Sequence, residues 1–186
     1  MGYAVAEQVK VRGGEVVLVS GPTYLNPPVG VDLKSCKRAD EMNDLVQEHL
    51  ENCDVLVMSA AVGDFVTETL EKEKIKKQCD AGLVLKLVPT KDILLDVAKR
   101  NLDKLVVGFA AESQNLLESA LEKLKKKNLD LIVANDISAP GIGFQSDSNQ
   151  VTIIDREENM ENLPLKPKRE IADLLLDRIL SRLKHT

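Results

Sequence analysis

Apolar positions along the chain fall into two kinds of run, and their alternation predicts the architecture. Short, nearly unbroken runs rich in Val, Ile and Leu occupy residues 15–20 (EVVLVS), 54–59 (DVLVMS), 105–109 (LVVGF), 129–134 (LDLIVA) and 151–154 (VTII). Runs of this length suit strands buried on both faces, as in a parallel sheet covered by helices. Between them the spacing changes to three and four, which places one apolar stripe on a helix. Such stripes are Tyr3, Val5, Ala6 and Val9 before Gly13-Gly14, then Met42, Leu45, Val46 and Leu50 in residues 39–52. Ile93, Leu94 and Val97 follow in residues 91–100, with Thr90 as the expected N-cap, and Leu174, Leu175, Ile179 and Leu183 close the chain in residues 171–183. Residues 31–35 read as a weaker, alternating strand, residues 138–150 as a Gly- and Ser-rich loop, and residues 157–167 as a polar connection.

Residues 105–136 bring both patterns together. A strand, a small-residue turn at Ala110-Ala111, an amphipathic helix with lysines crowding its last turn, and a second strand ending in Asn135-Asp136 make a β-α-β unit. Strands alternating with helices in this way predict a doubly wound, three-layer, Rossmann-like α/β fold with a mostly parallel sheet, in a single domain. Ligands of such sheets sit beyond the carboxyl ends of the strands, so residues 109–112 and 135–136 are expected to share one crevice. Residues 65–87 break the rhythm with mixed charges and no long apolar face. This exposed segment, with Lys74, Lys76 and Lys77 at its centre, is either a flap over the crevice or a solvated hairpin. The chain opens in a helix, whereas this fold commonly opens in a strand, so a strand is expected ahead of Met1.

Composition narrows the function classes. The net charge of −5 speaks against wrapping nucleic acid. No apolar run approaches the roughly 20 residues that span a bilayer, and the first residues lack the basic-then-apolar pattern of a signal peptide, so the expectation is a cytoplasmic protein. Cys36, Cys53 and Cys79 are scattered and odd in number, which suggests neither a disulfide framework nor a metal site. His49 and His185 are too far apart for a His-based metal centre and are expected at the surface. GxGxxG, GxxxxGK[ST] and GxSxG patterns are all absent. What remains is the turn at residues 60–64 (AAVGD), where small side chains let a ligand approach the backbone or simply make a tight strand exit. Lys123 and Lys127, four apart on one helix face, either complement the helix dipole or reach a triphosphate.

Read in order, SAAVGDF, EKIKK, KLVPTKDIL, VVGFAAES, KKKNLDLIVAND and GIGFQSDSNQVTII resemble the successive blocks of phosphopantothenoylcysteine synthetase, the ligase half of a bifunctional coenzyme A biosynthesis protein. The resemblance runs collinearly over essentially the whole chain. It implies a ligase that joins 4'-phosphopantothenate to L-cysteine, with CTP and Mg²⁺ converting the carboxylate to an acyl-cytidylate before the cysteine amine displaces CMP. It implies that Lys74 is the catalytic cation of a closing flap, and that Ala60, Ala61 and Asp64 receive the ribose and base. Phe109 resembles an aromatic packed beside the nucleotide. Lys91, Asp92, Ile93 and Leu94 match a nucleotide-binding loop, and Lys123 and Lys127 two lysines near the phosphates. Asn135-Asp136 and residues 143–147 belong to family blocks without an individual role. The resemblance further implies a homodimer, a fused or separate flavin-dependent decarboxylase as partner, and a family segment ahead of Met1 that carries a strand, a catalytic asparagine and contacts to the substrate phosphate. Gly63 and Phe65 stand where the family more often shows alanine and tyrosine. An alternative is a nucleotide-binding or assembly module without turnover of its own; an NAD-type dehydrogenase is opposed by the missing GxGxxG.

Overall fold

The computed structural model describes residues 1–71, 73–76, 82–112, 115–136 and 146–183. Cys79, Lys77, His185 and residues 137–145, with most of the loop expected at 138–150, lie outside these. The elements in chain order are α1 (Gly2–Val11), β1 (Val17–Ser20), β2 (Asp32–Ser35), α2 (Ala39–His49), β3 (Val55–Met58), β4 (Phe65–Thr67), β5 (Leu87–Pro89), α3 (Ile93–Lys99), β6 (Leu105–Glu112), α4 (Leu116–Lys126), β7 (Leu131–Asp136), β8 (Ser148–Asp155), β9 (Met160–Pro167) and α5 (Lys168–Leu183).

A central sheet runs in the order β3-β6-β7-β8-β9. β3, β6 and β7 are parallel neighbours, and β8 and β9 continue the sheet antiparallel. β1 and β2 form a separate parallel pair, and β4 and β5 an antiparallel one. Successive strand residues point to opposite faces, and the two faces bury different partners. Val106, Ala110, Ile132 and Ala134 pack with α2, α3 and α4, in a core centred on Leu50, Ile93, Leu94 and Leu124. Leu105, Val107, Leu131 and Val133 pack instead with Val5 of α1 and Ile171, Leu175 and Ile179 of α5. The expected three-layer α/β architecture, with helices on both faces of a mostly parallel sheet, is therefore present.

Four local expectations are corrected. Ala110 and Ala111 do not turn: β6 continues to Glu112, because each added residue finds a partner on β7, up to Glu112 opposite Asp136. The cap of α3 is Asp92, whose Oδ1 accepts from the Leu95 N–H at 3.2 Å, while Thr90 bonds elsewhere. His49 is half-buried, not at the surface. The polar stretch at 157–167 holds β9, an edge strand with Leu163 as its one buried residue. Its apolar signal was too thin to read, and Pro164 and Pro167 argue against a strand except at a sheet edge.

Gly108 is required by packing. A Cβ there would lie 2.5 Å from Leu129 Cδ1, and Leu129 is itself fully buried. The missing side chain lets the segment entering β7 close directly over β6.

Candidate functional site

The carboxyl ends of β3, β6 and β7 open into a cleft of about 580 Å³, within the size range of small-molecule sites. Its walls come from four places in the chain: the segment after β3, the approach to α3, the end of β6 with the last turn of α4, and the α1/α5 side of the sheet. The segment after β3 is held by Thr90. The Thr90 N–H donates to the Asp64 carbonyl at 2.9 Å, and the Thr90 hydroxyl donates to the Gly63 carbonyl. Phe65 pairs with Pro89 across β4 and β5, so the chain segment between them leaves and returns at the cleft rim. The Glu68 N–H donates to the Lys86 carbonyl at 3.0 Å, which extends that base outward.

Ten of the eleven site residues expected from sequence line this one cleft: Ala60, Ala61, Asp64, Lys91, Asp92, Ile93, Leu94, Phe109, Lys123 and Lys127. Ile93 and Leu94 do so as buried core residues of α3. Lys74 is exposed and does not line the cleft.

Lys123 of α4 and Lys127, which caps that helix, are directed at specific groups of the site. Lys123 Nζ donates to the Phe109 carbonyl at 2.6 Å, tying α4 to the end of β6. Lys127 Nζ lies 2.9 Å from Asp92 Oδ2, with the lysine side chain 18% exposed and the aspartate 35%. Burial pushes the Asp92 carboxyl up, but bonds from the Lys127 ammonium and the Leu95 N–H outweigh it and hold its pKa below the usual carboxylate value. One carboxylate thus caps α3 and anchors the end of α4. Lys91, Lys123 and Lys127 thus line the α3/α4 side of the cleft that residues 60–64 also line.

Sequence reasoning missed Asn149 and Lys168, which line the opposite side with Met1 and Asn135. Asn135 and Asn149 are buried polar residues, and the Oδ1 of each has no hydrogen-bond partner among the described residues. A buried amide two positions before the alternating Val151 and Ile153 was the available signal for Asn149. Among the described residues no group of three His, Cys, Asp or Glu is arranged to hold a metal. Cys36 is buried and Cys53 half-buried, and burial raises both thiols, so neither is poised as a thiolate. No helix among the described residues is long and apolar enough to cross a membrane.

Comparison with known proteins places the chain in a family. The coenzyme A biosynthesis bifunctional protein CoaBC of Bacillus subtilis is 39% identical over 187 residues, covering 100% of this chain and 46% of that protein. Its counterpart in Escherichia coli K12 is 40% identical over 185 residues, covering 98% of this chain and 45% of that protein. The chain therefore spans about half the length of these curated relatives. The crystal structure of the C-terminal domain of a coenzyme A biosynthesis bifunctional protein CoaBC superposes with a TM-score of 0.84 at 36% identity, covering 100% of this chain and 83% of that one. The family described as the DNA/pantothenate metabolism flavoprotein C-terminal domain matches residues 1–183, and the chain belongs to that family.

Proposed function

We propose that this domain is the ligase that joins 4'-phosphopantothenate to L-cysteine through a CTP-derived acyl-cytidylate. The observation that carries the reading is the cleft that Lys91, Lys123 and Lys127 line together with the small-residue segment 60–64, in a chain matched over 98–100% of its length by coenzyme A biosynthesis proteins. In the first step an oxygen of the substrate carboxylate attacks the α-phosphorus of CTP, and the bond to the β-phosphate oxygen breaks, releasing pyrophosphate. In the second the cysteine amine attacks the acyl carbon, the acyl–oxygen bond to CMP breaks, and the amine gives up a proton. Both substrates of the first step are anions. Fixed ammonium groups lower their repulsion and offset the charge that builds on the leaving pyrophosphate.

Lys127 is held by Asp92 and Lys123 by the Phe109 carbonyl, so neither has to be ordered when nucleotide arrives. Mg²⁺ commonly binds through nucleotide phosphates and one or two carboxylates, and Asp64, which lines the cleft, is the carboxylate that would meet it. Bound there it would supply further charge neutralisation on the phosphates. Lys74 acts from the segment between β4 and β5, whose ends are fixed at the rim.

The exposed apolar side chains of that segment, Phe65, Leu83, Val84, Leu85 and Leu87, support a homodimer, since so many clustered apolar residues are seldom left to solvent. A flavin-dependent decarboxylase, fused or separate, is the proposed partner, and the cytoplasm the proposed location, both in keeping with relatives described as bifunctional coenzyme A biosynthesis proteins.

The test is pyrophosphate release with 4'-phosphopantothenate, L-cysteine, CTP and Mg²⁺, measured for this chain alone and joined to the segment that precedes it in its relatives. Turnover in neither refutes the ligase reading. Lys74→Gln should slow turnover while leaving CTP binding measurable, and undiminished turnover removes Lys74 from catalysis. A second reading of the same cleft is a nucleotide-binding or assembly module without turnover of its own. CTP binding by calorimetry without pyrophosphate release from the chain alone identifies it.

A further inference from the structure

Residues 60–65 carry the chain from β3 into the cleft wall, and packing does little to hold them. Val62 alone among them is half-buried, and the others are exposed. The strands that follow, β4 and β5, are three residues each and largely exposed, so burial steadies them little either. What fixes this turn is the residue just past β5. The Thr90 N–H donates to the Asp64 carbonyl at 2.9 Å, and the Thr90 hydroxyl donates to the Gly63 carbonyl. One residue thus binds two consecutive carbonyls, which sets the peptide planes on both sides of Asp64.

Thr90 is anchored in turn from its other side. Two residues on, the Asp92 carboxylate caps α3 through the Leu95 N–H and pairs with Lys127 at the end of α4. Asp64, Lys91 and Lys127 all line the cleft, so this short stretch joins the turn after β3 to both helices of the lysine side. Pro89, opposite Phe65, has no N–H to donate, and the donors that close the β4/β5 ladder at its cleft end are those of Thr90. Farther out the Glu68 N–H, bound to the Lys86 carbonyl at 3.0 Å, extends the ladder toward the segment that holds Lys74. Thr90 also lines the cleft, but both of its donors are already committed to protein carbonyls.

We propose that Thr90 is a positioning residue for the ligation: its two hydrogen bonds hold Asp64 and the foot of the β4/β5 pair in place against α3, and it acts on turnover through them. The hydroxyl decides this. Every residue except proline brings an N–H to this position, whereas a hydroxyl at that reach comes from Thr or Ser. Without it the Gly63 carbonyl turns to water, the peptide between Gly63 and Asp64 gains freedom, and Asp64 no longer faces the nucleotide in one fixed orientation. Loss of such preorganisation is felt in the transition state more than in binding. The inference rests on the ligase reading and adds to it a residue that works without contacting substrate.

The test uses Thr90→Val, which keeps the N–H and the branched shape but removes the hydroxyl, and Thr90→Ser, which keeps the hydroxyl. In pyrophosphate release by the form that turns over, Thr90→Val should lower kcat at least about tenfold, the scale on which misplaced groups slow enzymes, with CTP affinity by calorimetry within about twofold of the parent. Thr90→Ser should recover most of the rate. Amide hydrogen exchange of the chain itself should show the amides of Glu68 and residue 90 exchanging about fivefold faster in Thr90→Val, the factor of one neutral hydrogen bond of about 1 kcal/mol. Those of α3 and β6 should keep their protection. The role is refuted if Thr90→Val turns over like the parent or if Thr90→Ser fails to recover the rate. It is equally refuted if CTP affinity falls as far as kcat, which marks a nucleotide contact, or if α3 and β6 lose protection together with β4 and β5, which marks a structural residue. A parent that releases no pyrophosphate counts against the ligase reading instead, and exchange at Glu68 and residue 90 then decides whether the hydroxyl holds the turn.

Discussion

Asp92 joins two elements of the cleft, and its substitution separates two energies. The carboxylate caps α3 through Oδ1, accepting from Leu95 N–H at 3.2 Å, and pairs with Lys127 through Oδ2 at 2.9 Å. Asp92→Ala removes both contacts, whereas Asp92→Asn keeps a good cap and removes the charge. A lost N-cap costs about 1 kcal/mol. The ion pair is partly screened, since the aspartate side chain is 35% exposed, so its share is about 0.5–1 kcal/mol. The expected losses are about 1.5–2 kcal/mol for Asp92→Ala and about 0.5–1 kcal/mol for Asp92→Asn. In a domain of this size these correspond to about 3–8 °C and about 1–4 °C in melting temperature.

The pH dependence follows from the depressed pKa of the folded carboxyl. Its contribution is fully present above the unfolded value of about 3.9 and is lost as pH falls through the lower folded value. Urea unfolding of parent, Asp92→Asn, Asp92→Ala and Lys127→Met, from neutral pH into acid, is the assay. The gap between parent and Asp92→Asn should close on acidification. If it keeps its neutral-pH size, the Lys127 pair is not what depresses the carboxyl, and if Asp92→Asn costs as much as Asp92→Ala, the cap contributes nothing.

Gly108→Ala places a methyl 2.5 Å from Leu129 Cδ1 and should cost about 1–3 kcal/mol by overpacking; in urea unfolding, the pair with Leu129→Ala should cost less than the sum of the two single changes. Arg12 on α1 reaches Asp173 at 2.6 Å and Asp177 at 2.8 Å on α5, but both aspartates are half-exposed, so Arg12→Ala should cost less than about 1 kcal/mol, and the difference should shrink as salt is raised in a melting series. Val84→Glu places a charge on the exposed apolar segment and should shift a dimer toward monomer in sedimentation equilibrium; a mass unchanged by dilution and by the substitution removes that segment as the interface.

Periodicity made most of the fold legible. Val, Ile and Leu runs and three-and-four spacing located α1, β1, β2, α2, β3, α3, β6, α4, β7, β8 and α5, because burial on one or both faces leaves a local trace in the chain. Short motif blocks likewise pointed to ten of the residues that line the cleft. Edge strands leave less trace: β9 buries only Leu163, and β4 and β5 are three residues each.

Other features have no local trace at all. Competition between two possible caps, Thr90 and Asp92, is settled by where the loop at Gly63 and Asp64 happens to lie, since it takes the Thr90 bonds. The length of β6 depends on β7 offering partners as far as Asp136. Lys127 and Asp92 are 2.9 Å apart across two helices, and spacing within α4 is equally consistent with a lysine serving only its own helix end. Asn149 and Lys168 reach the cleft because the sheet turns antiparallel at β8 and returns the chain to the strand ends through β9. The chain's pattern of apolar residues determines which elements form and which faces they bury, because burial is a property of each element. Which polar groups meet is decided by the packing of elements distant in sequence, and in this domain that packing assembles the two unlike halves of the cleft.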